Sequence, residues 1–310
     1  MEAVICKSTG SWYTARADAG TVWQCRIRGK FRADEAITST NPVAVGDVVE
    51  LEPEDAARHT AMITRIMPRK NYMVRSSPHR PSRHVIAANL DQALLVASLR
   101  TPRTSQGFID RFLVTAAAYH IPAILVFNKS DLHRRQEEER YAFWKALYEA
   151  IGYTVLGTAA VSGEGVDPLR ELLSGKITLF SGHSGVGKST LINLLIPGSQ
   201  LRTQSVSGWS GKGMHTTTFA EMFPLPEPGG GAIIDTPGIR ELGVVDMEKA
   251  ELSHYFLEMQ PYIGKCRFNN CLHIDEPGCA VRDAVEKGAV SAERYESYLT
   301  ILDSLETPEW

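Results

Sequence analysis

The sequence predicts an α/β domain built on a parallel sheet, preceded by a small all-β unit and followed by a helical unit that holds metal. Three observations predict it: short extended segments with turn punctuation over the first seventy residues, apolar runs alternating with helical patterns from Leu90 to Ile234, and a Cys/His cluster between two helical stretches near the end. The chain has 310 residues, 43% hydrophobic and 22% charged, ordinary values that fit two or three folded domains and exclude wholesale disorder or a fibrous repeat. No apolar run reaches the ~18 residues of a membrane span. The opening MEAVICKSTGSWY has no basic stretch followed by an apolar core, so no secretory signal is read and a cytoplasmic protein is expected.

In the first part, extended runs are expected near Gly10–Tyr13, over Thr21–Arg28 and over Val45–Leu51, the spacing of a small barrel or sandwich. Pro68–His84 is rich in Arg, Pro and Ser without periodicity and reads as a linker or basic strap. Strands are then expected at Asp91–Leu99, Ile121–Phe127, Tyr153–Leu156, Ile177–Phe180 and Ala232–Ile234. Helices are expected at Phe108–His120, Glu137–Ile151, Leu169–Leu173, Thr190–Leu195, Glu248–Met259 and Ala292–Leu305. The boundaries become 1–72 for the β unit, 73–88 for a basic linker, 89–244 for the α/β domain and 245–310 for the metal-binding helical unit. The net charge of −3 hides an asymmetry, since residues 1–84 carry +4 and the remainder −7. A basic front hints at nucleic acid, although a normally solvated domain with a few extra arginines accounts for it equally well.

Residues 182–189, GHSGVGKS, lie between an apolar strand and a helical run, the context in which a GxxxxGK[ST] loop cradles phosphate. Gly182, Gly185 and Gly187 let backbone N–H groups turn inward, with His183, Ser184 and Val186 filling the loop; Lys188 reaches the outer phosphates, the Ser189 hydroxyl suits Mg²⁺, and Thr190 starts the helix. DTPG at 235–238 follows the strand AII, so Asp235 faces the metal and Gly238 can offer its N–H to a γ-phosphate. NKSD at 128–131 also ends an apolar strand. The Asp131 carboxylate matches the paired N–H donors of guanine, Asn128 ties the loop together, and Lys129 with Ser130 completes the base site. In TAAVSGEG at 158–165, Ala159 and Ala160 bring a backbone N–H, that of Ala160, to the guanine carbonyl.

The base motif precedes the phosphate motif, the reverse of small GTPases, so the nucleotide domain is circularly permuted. Between phosphate loop and DTPG runs a 16-residue stretch, Arg202–Thr217, with Gly208, Gly211 and Gly213. Thr217, within the run Thr216–Thr218, is the favoured extra Mg²⁺ ligand. Ile239 follows DTPG where many GTPases carry a water-orienting glutamine. An apolar side chain cannot do that, and His215 is the nearest polar candidate, with an ordinary surface histidine as the alternative. Cys266, Cys271, His273 and Cys279 are separated by four, one and five residues, a Cys₃His set suited to one tetrahedral structural Zn²⁺. Free cysteines beside an unrelated histidine are the alternative.

Together VAVGDVVEL, PRKN, AANLDQALLV, IDRFLV, NKSDL, GHSGVGKSTLIN, GKGMHTTT, DTPGIRELG and CxxxxCxHxxxxxC resemble, in order and over nearly the whole chain, the ribosome small subunit-dependent GTPase A (RsgA) family. The resemblance implies an N-terminal OB-fold barrel, a central permuted P-loop GTPase domain and a C-terminal zinc-binding domain, acting late in small-subunit maturation. It assigns hydrolysis to His215, and departs from the family at Met214 and Ala159. The expected enzyme is a GTP hydrolase stimulated by the small subunit, a monomer without membrane attachment. Its cofactors are Mg²⁺ with GTP and one Zn²⁺, and its partners are GTP/GDP, the small subunit and its rRNA, the last through the barrel and through Arg69, Lys70, Arg75, Arg80 and Arg83. Rival readings are an RNA-binding assembly factor for which nucleotide is only a ligand, and a permuted GTPase serving the large subunit or a membrane.

Overall fold

The computed structural model describes residues 1–17, 20–27, 42–77, 80–199, 201, 220–236 and 247–305. Five strands form the front unit: β1 (Glu2–Ser8), β2 (Tyr13–Ala17), β3 (Val22–Ile27), β4 (Val48–Asp55) and β5 (Thr60–Ile66). Each alternates buried and exposed residues, so that Ile5, Tyr13, Ala15, Cys25, Val49 and Ile63 point into one core. Pairing runs β1-β2-β3-β5-β4 and returns from β4 to β1, which closes the described strands into a barrel. Gly10–Tyr13 is a turn rather than a strand; the Thr9 N–H donates to the Trp12 carbonyl, and β2 begins at Tyr13.

Within the stretch expected as a linker, β6 (Tyr72–Ser77) and β7 (Arg80–Ala88) pair antiparallel, with Met73, Val74, Val85 and Ala87 buried. Register shifts after Met73 and Arg75 break the two-residue alternation, which is why periodicity did not reveal the strands. Arg69, expected on a basic strap, is instead a structural residue. Its guanidinium makes two 2.7 Å bonds to the fully buried Asp47 carboxylate and donates to the Pro42 carbonyl. Lys70 bonds Asp91 at 2.8 Å. The side chains of Arg75, Arg80 and Arg83 lie outside the described residues.

The central domain then runs β8 (Gln92–Ala97), α1 (Gln106–Ala118), β9 (Ala123–Asn128), α2 (Arg135–Ile151), β10 (Thr154–Thr158), α3 (Val166–Leu173), β11 (Ile177–Ser181), α4 (Lys188–Leu195), β12 (Glu221–Pro224) and β13 (Ala232–Asp235). The order β10-β9-β8-β11-β13 is parallel, and β12 adds antiparallel beside β13. Every residue of β8 is buried because helices cover both faces. Phe112, Leu113, Trp144 and Tyr148 of α1 and α2 pack on one side. Leu169, Leu173, Leu191 and Ile192 of α3 and α4 pack on the other. Parallel pairing places the C-terminal strand ends together, so the loops that begin at Asn128, Gly182 and Thr236 emerge on one rim.

The C-terminal unit contains α5 (Lys249–Leu252), α6 (Ala280–Glu286) and α7 (Ala292–Ser304). The helix expected over Glu248–Met259 ends at Leu252 and continues as tight turns, since Ser253, Phe256 and Met259 are buried at a spacing of three, which suits 3₁₀ geometry better than α. This unit is bolted to α1 by a fully buried Arg294, whose guanidinium bonds Glu258 at 2.6 and 3.1 Å and Asp110 at 2.5 Å, while the Tyr148 hydroxyl donates to the same Asp110 oxygen. Burial works against the charge on Arg294, and the two carboxylates more than offset it, so its pKa is raised. Arg294→Ala strands two carboxylates, one of them fully buried, and is expected to cost about 3–5 kcal/mol in urea unfolding, the scale of a broken buried pair. A loss below about 1 kcal/mol would show that water replaces the guanidinium there.

Candidate functional site

The strand β11 delivers the phosphate loop, and its glycines are required by space as well as by dihedral angle. Gly182 has φ 141°, and a Cβ there would stand 2.3 Å from the Val96 carbonyl oxygen. Gly187 has φ 100°, and its Cβ would meet Asn128 Nδ2 at 2.2 Å. The close approach leaves Asn128 room to work as a clamp. Its Nδ2 donates to the Val186 carbonyl at 2.9 Å, while its Oδ1 accepts from the Thr158 hydroxyl at 3.0 Å and the Ala160 N–H at 3.1 Å. One side chain therefore joins the NKSD, phosphate and TAAVS loops, and it is almost fully buried. A base carbonyl approaching Ala160 must share or displace that N–H bond. Ala159 is buried, tied back through its own N–H to the Glu164 carbonyl.

Lys129 takes a left-handed conformation at φ 70° and donates from Nζ to the carbonyls of Thr101 and Gly185 at 2.6 and 2.7 Å. Its stem thus lies across the gap between base loop and phosphate loop. Burial lowers its pKa, partly countered by Asp131. Ser130 and Asp131 form a single 3₁₀ turn, Asp131 exposed beside the clamp, with the Ser130 hydroxyl buried beneath it.

Lys188 opens α4 and folds over the loop mouth, its Nζ donating to the carbonyls of Gly182 and His183 at 2.5 and 2.9 Å. Burial lowers its pKa and Asp235 opposes the shift, so an anion seated in the loop would restore what burial costs the ammonium. Ser184 and Gly185 are exposed, while Ser189 and Thr190 are half-buried on the first turn of α4. Asp235 ends β13 directly beside Phe180 of β11 and is nearly fully buried. The donor set fits Mg²⁺ in kind: Asp235 offers a buried carboxylate at the end of β13, and Ser189 a hydroxyl on the first turn of α4. His215, Thr217 and Gly238 lie outside the described residues.

Sequence reasoning missed two supports of this site. The His183 ring stacks on Phe108 of α1 with centroids 3.8 Å apart, and the Thr101 carbonyl anchors Lys129. Neither has a motif signature, because each joins positions far apart in the chain. A cleft of about 500 Å³ is lined by residues that include Leu99, Arg100, Arg103, Arg140 and Phe143, and none of the motif residues lines it.

The second site is the metal cluster. The ligand atoms of Cys266, Cys271, His273 and Cys279 all lie within 4.8 Å of one another. His273 Nδ1 is 3.6 Å from Cys266 Sγ and 3.4 Å from Cys279 Sγ. A tetrahedral zinc with ordinary Zn–S and Zn–N bonds requires an N···S edge of about 3.6 Å, so the four residues fit that ion. Local structure holds them in place. The Glu276 carboxylate accepts from the Leu272 and Ile274 N–H groups, the Tyr298 and Tyr295 hydroxyls donate to the Leu272 and His273 carbonyls, and Cys279 Sγ caps α6 by accepting from the Arg282 N–H. Burial pushes the Cys271 thiol up to about 12, so a thiolate there needs a cation beside it.

Known proteins share this arrangement. The family described as RsgA GTPase matches residues 66–245, and the RsgA N-terminal domain matches residues 2–60. A small ribosomal subunit biogenesis GTPase RsgA of Bacteroides fragilis is 49% identical over 307 residues, covering 99% of this chain and 97% of its own. One from Flavobacterium psychrophilum is 50% identical over 305 residues, covering 98% and 93%. The crystal structure of YjeQ from Thermotoga maritima, 33% identical, matches with a TM-score of 0.78 over 98% of both chains. That of YloQ, described as a circularly permuted GTPase, is 31% identical with a TM-score of 0.74, over 100% of this chain and 96% of its own. With the clamp, the barrel and the cluster set on a chain that these relatives match from end to end, the chain belongs to the RsgA family of GTPases.

Proposed function

We propose that this protein binds the small ribosomal subunit late in its maturation and hydrolyses GTP to GDP and phosphate when docked. The observation that carries the GTPase part is the Asn128 clamp, which makes the base loop and the phosphate loop one body beside Lys188 and Asp235. The names of its relatives supply the partner.

In this reading Asn128, Lys129, Ser130 and Asp131, with Ala159 and Ala160, hold guanine. Residues 182–190 wrap the phosphates, with Lys188 pairing their charge and the Gly238 N–H reaching the γ-phosphate. Ser189, Thr217 and Asp235 hold Mg²⁺, which when bound neutralises part of the phosphate charge. His215 orients the attacking water, because Ile239 supplies no polar group. The zinc cluster stays structural. Phosphate contacts to rRNA fall to the barrel and to Arg75, Arg80 and Arg83, since Arg69 is committed to Asp47. The protein acts as a cytoplasmic monomer; among the described residues no helix is long and apolar enough to cross a membrane.

GTP hydrolysis measured with each purified subunit tests the reading, and stimulation by the small subunit alone is expected. Equal rates with either subunit would reject the partner, and binding without turnover would favour an assembly factor for which nucleotide is only a ligand. His215→Ala is expected to lower stimulated turnover by about 10–1,000-fold with nucleotide affinity nearly unchanged. A parental rate would transfer the role to another residue or to the ribosome.

A further inference from the structure

The strand β1 belongs to two sheets. Glu2, Ala3 and Val4 pair with β4 inside the barrel, and Lys7 pairs with Glu221 of β12 in the central domain. Between them, the β1–β2 register shifts between Ile5 and Lys7, leaving Cys6 as an extra residue. Such a bulge bends a strand and re-aims the residues beyond it. Here it carries β1 from barrel to central sheet, so that the barrel and the nucleotide domain form one continuous 11-stranded sheet.

The rung at the junction leads straight to the nucleotide site. Glu221 pairs with Lys7 on one side and with Asp235 on the other, and Asp235 pairs in turn with Phe180, two residues before Gly182. Lys7, Glu221, Asp235 and Phe180 therefore stand side by side in one row across four strands. Neighbours in such a row point to the same face, about 5 Å apart per strand. Lys7 Nζ closes on Glu221 Oε2 at 2.9 Å. That contact keeps the Glu221 carboxylate neutralised on the face it shares with Asp235, where two bare carboxylates on adjacent strands would repel.

We propose that Lys7 and Glu221 are a positioning pair that transmits the barrel's docking on its partner to Asp235, and so to the nucleotide. This rests on the function proposed above. The pair adds little to folding. Its side chains are 40% and 34% exposed, which limits an ion pair to a small net contribution. The barrel is also fastened elsewhere, by the bridge from Val45 to Ala87 and by the Asn89 amide on the Gly46 carbonyl at 2.9 Å. What the rung contributes is a direct mechanical and electrostatic connection to the end of β13.

Lys7→Ala and Glu221→Ala should fold like the parent and reduce the ratio of subunit-stimulated to basal GTP turnover by about 5- to 20-fold, the range of an ordinary coupling between sites. The charge-swapped double variant Lys7→Glu/Glu221→Lys and the conservative Lys7→Arg should recover most of that ratio. A second readout does not depend on turnover: the change in affinity for a non-hydrolysable GTP analogue on adding small subunits should shrink in Lys7→Ala by a similar factor. An unchanged ratio in both alanine variants, an equal fall in basal and stimulated rates, or no recovery in the swap would overturn the pair's role while leaving the proposed function intact. Absence of any stimulation in the unaltered protein would overturn both.

Discussion

Loss of the zinc site is expected to unfold the chain from about residue 247 onward while nucleotide binding survives. The C-terminal unit is small, with short helices and a core that leans on Val114 of α1 rather than closing on itself. Its ligand loop holds His273 at φ 61°, a conformation ordinary side chains avoid, and two tyrosine hydroxyls and the Glu276 carboxylate are organised around it. Structural zinc in small domains contributes on the order of 10–16 kcal/mol at neutral pH, more than such a core can supply. Cys271→Ser or prolonged chelation should therefore make 247–305 sensitive to protease, and metal analysis of the parent should give one zinc per chain. Each thiol loses its proton to bind, so zinc affinity should fall as pH falls. Protein purified without chelator and free of zinc, yet protease-resistant in this region, would refute the assignment.

Asp131→Asn is expected to exchange nucleotide specificity. In the proposed base site the Asp131 carboxylate would accept from the two N–H groups of the guanine edge, and an amide would present a donor where an acceptor is required. A site built on such pairing separates matched from mismatched ligands by about 10⁴, since the mismatch leaves buried polar groups without partners. GTP affinity should drop by that order, and xanthosine triphosphate, with a carbonyl in place of the amine, should gain. The clamp beneath is untouched, because Asn128 and not Asp131 bonds the phosphate loop. Equal GTP affinity in variant and parent would remove NKSD from the base site.

The parallel strands of the central domain were legible because burial on both faces makes them continuous apolar runs, as in β8 and β9. The phosphate loop and the metal cluster were legible for a related reason. Their chemistry is written within a dozen or so consecutive residues, where glycine spacing or ligand spacing is itself the geometry. The 73–88 hairpin was not, since its bulges scramble the alternation that marks a strand. The 249–259 segment misled in the opposite sense, its apolar spacing reading as one helix where the chain tightens into 3₁₀ turns.

By itself the sequence marked the local devices: the loops proposed to meet phosphate and guanine, the Cys₃His set that the fold gathers within 4.8 Å, and the permuted order of the domain. Only the tertiary structure decided how charge was allotted. Arg69 looks like a surface cation beside Lys70 and proves to be paired with the buried Asp47, whereas Arg294, in a helix without any motif, holds Asp110 and Glu258 at the junction of two domains. The clamp of Asn128 on Val186, the stack of His183 on Phe108 and the rung of Lys7 on Glu221 belong to the same class. Each joins residues between 58 and 214 positions apart. Such pairs are chosen by which backbones the folded sheet brings within hydrogen-bonding reach, and nothing in either local segment encodes the partner.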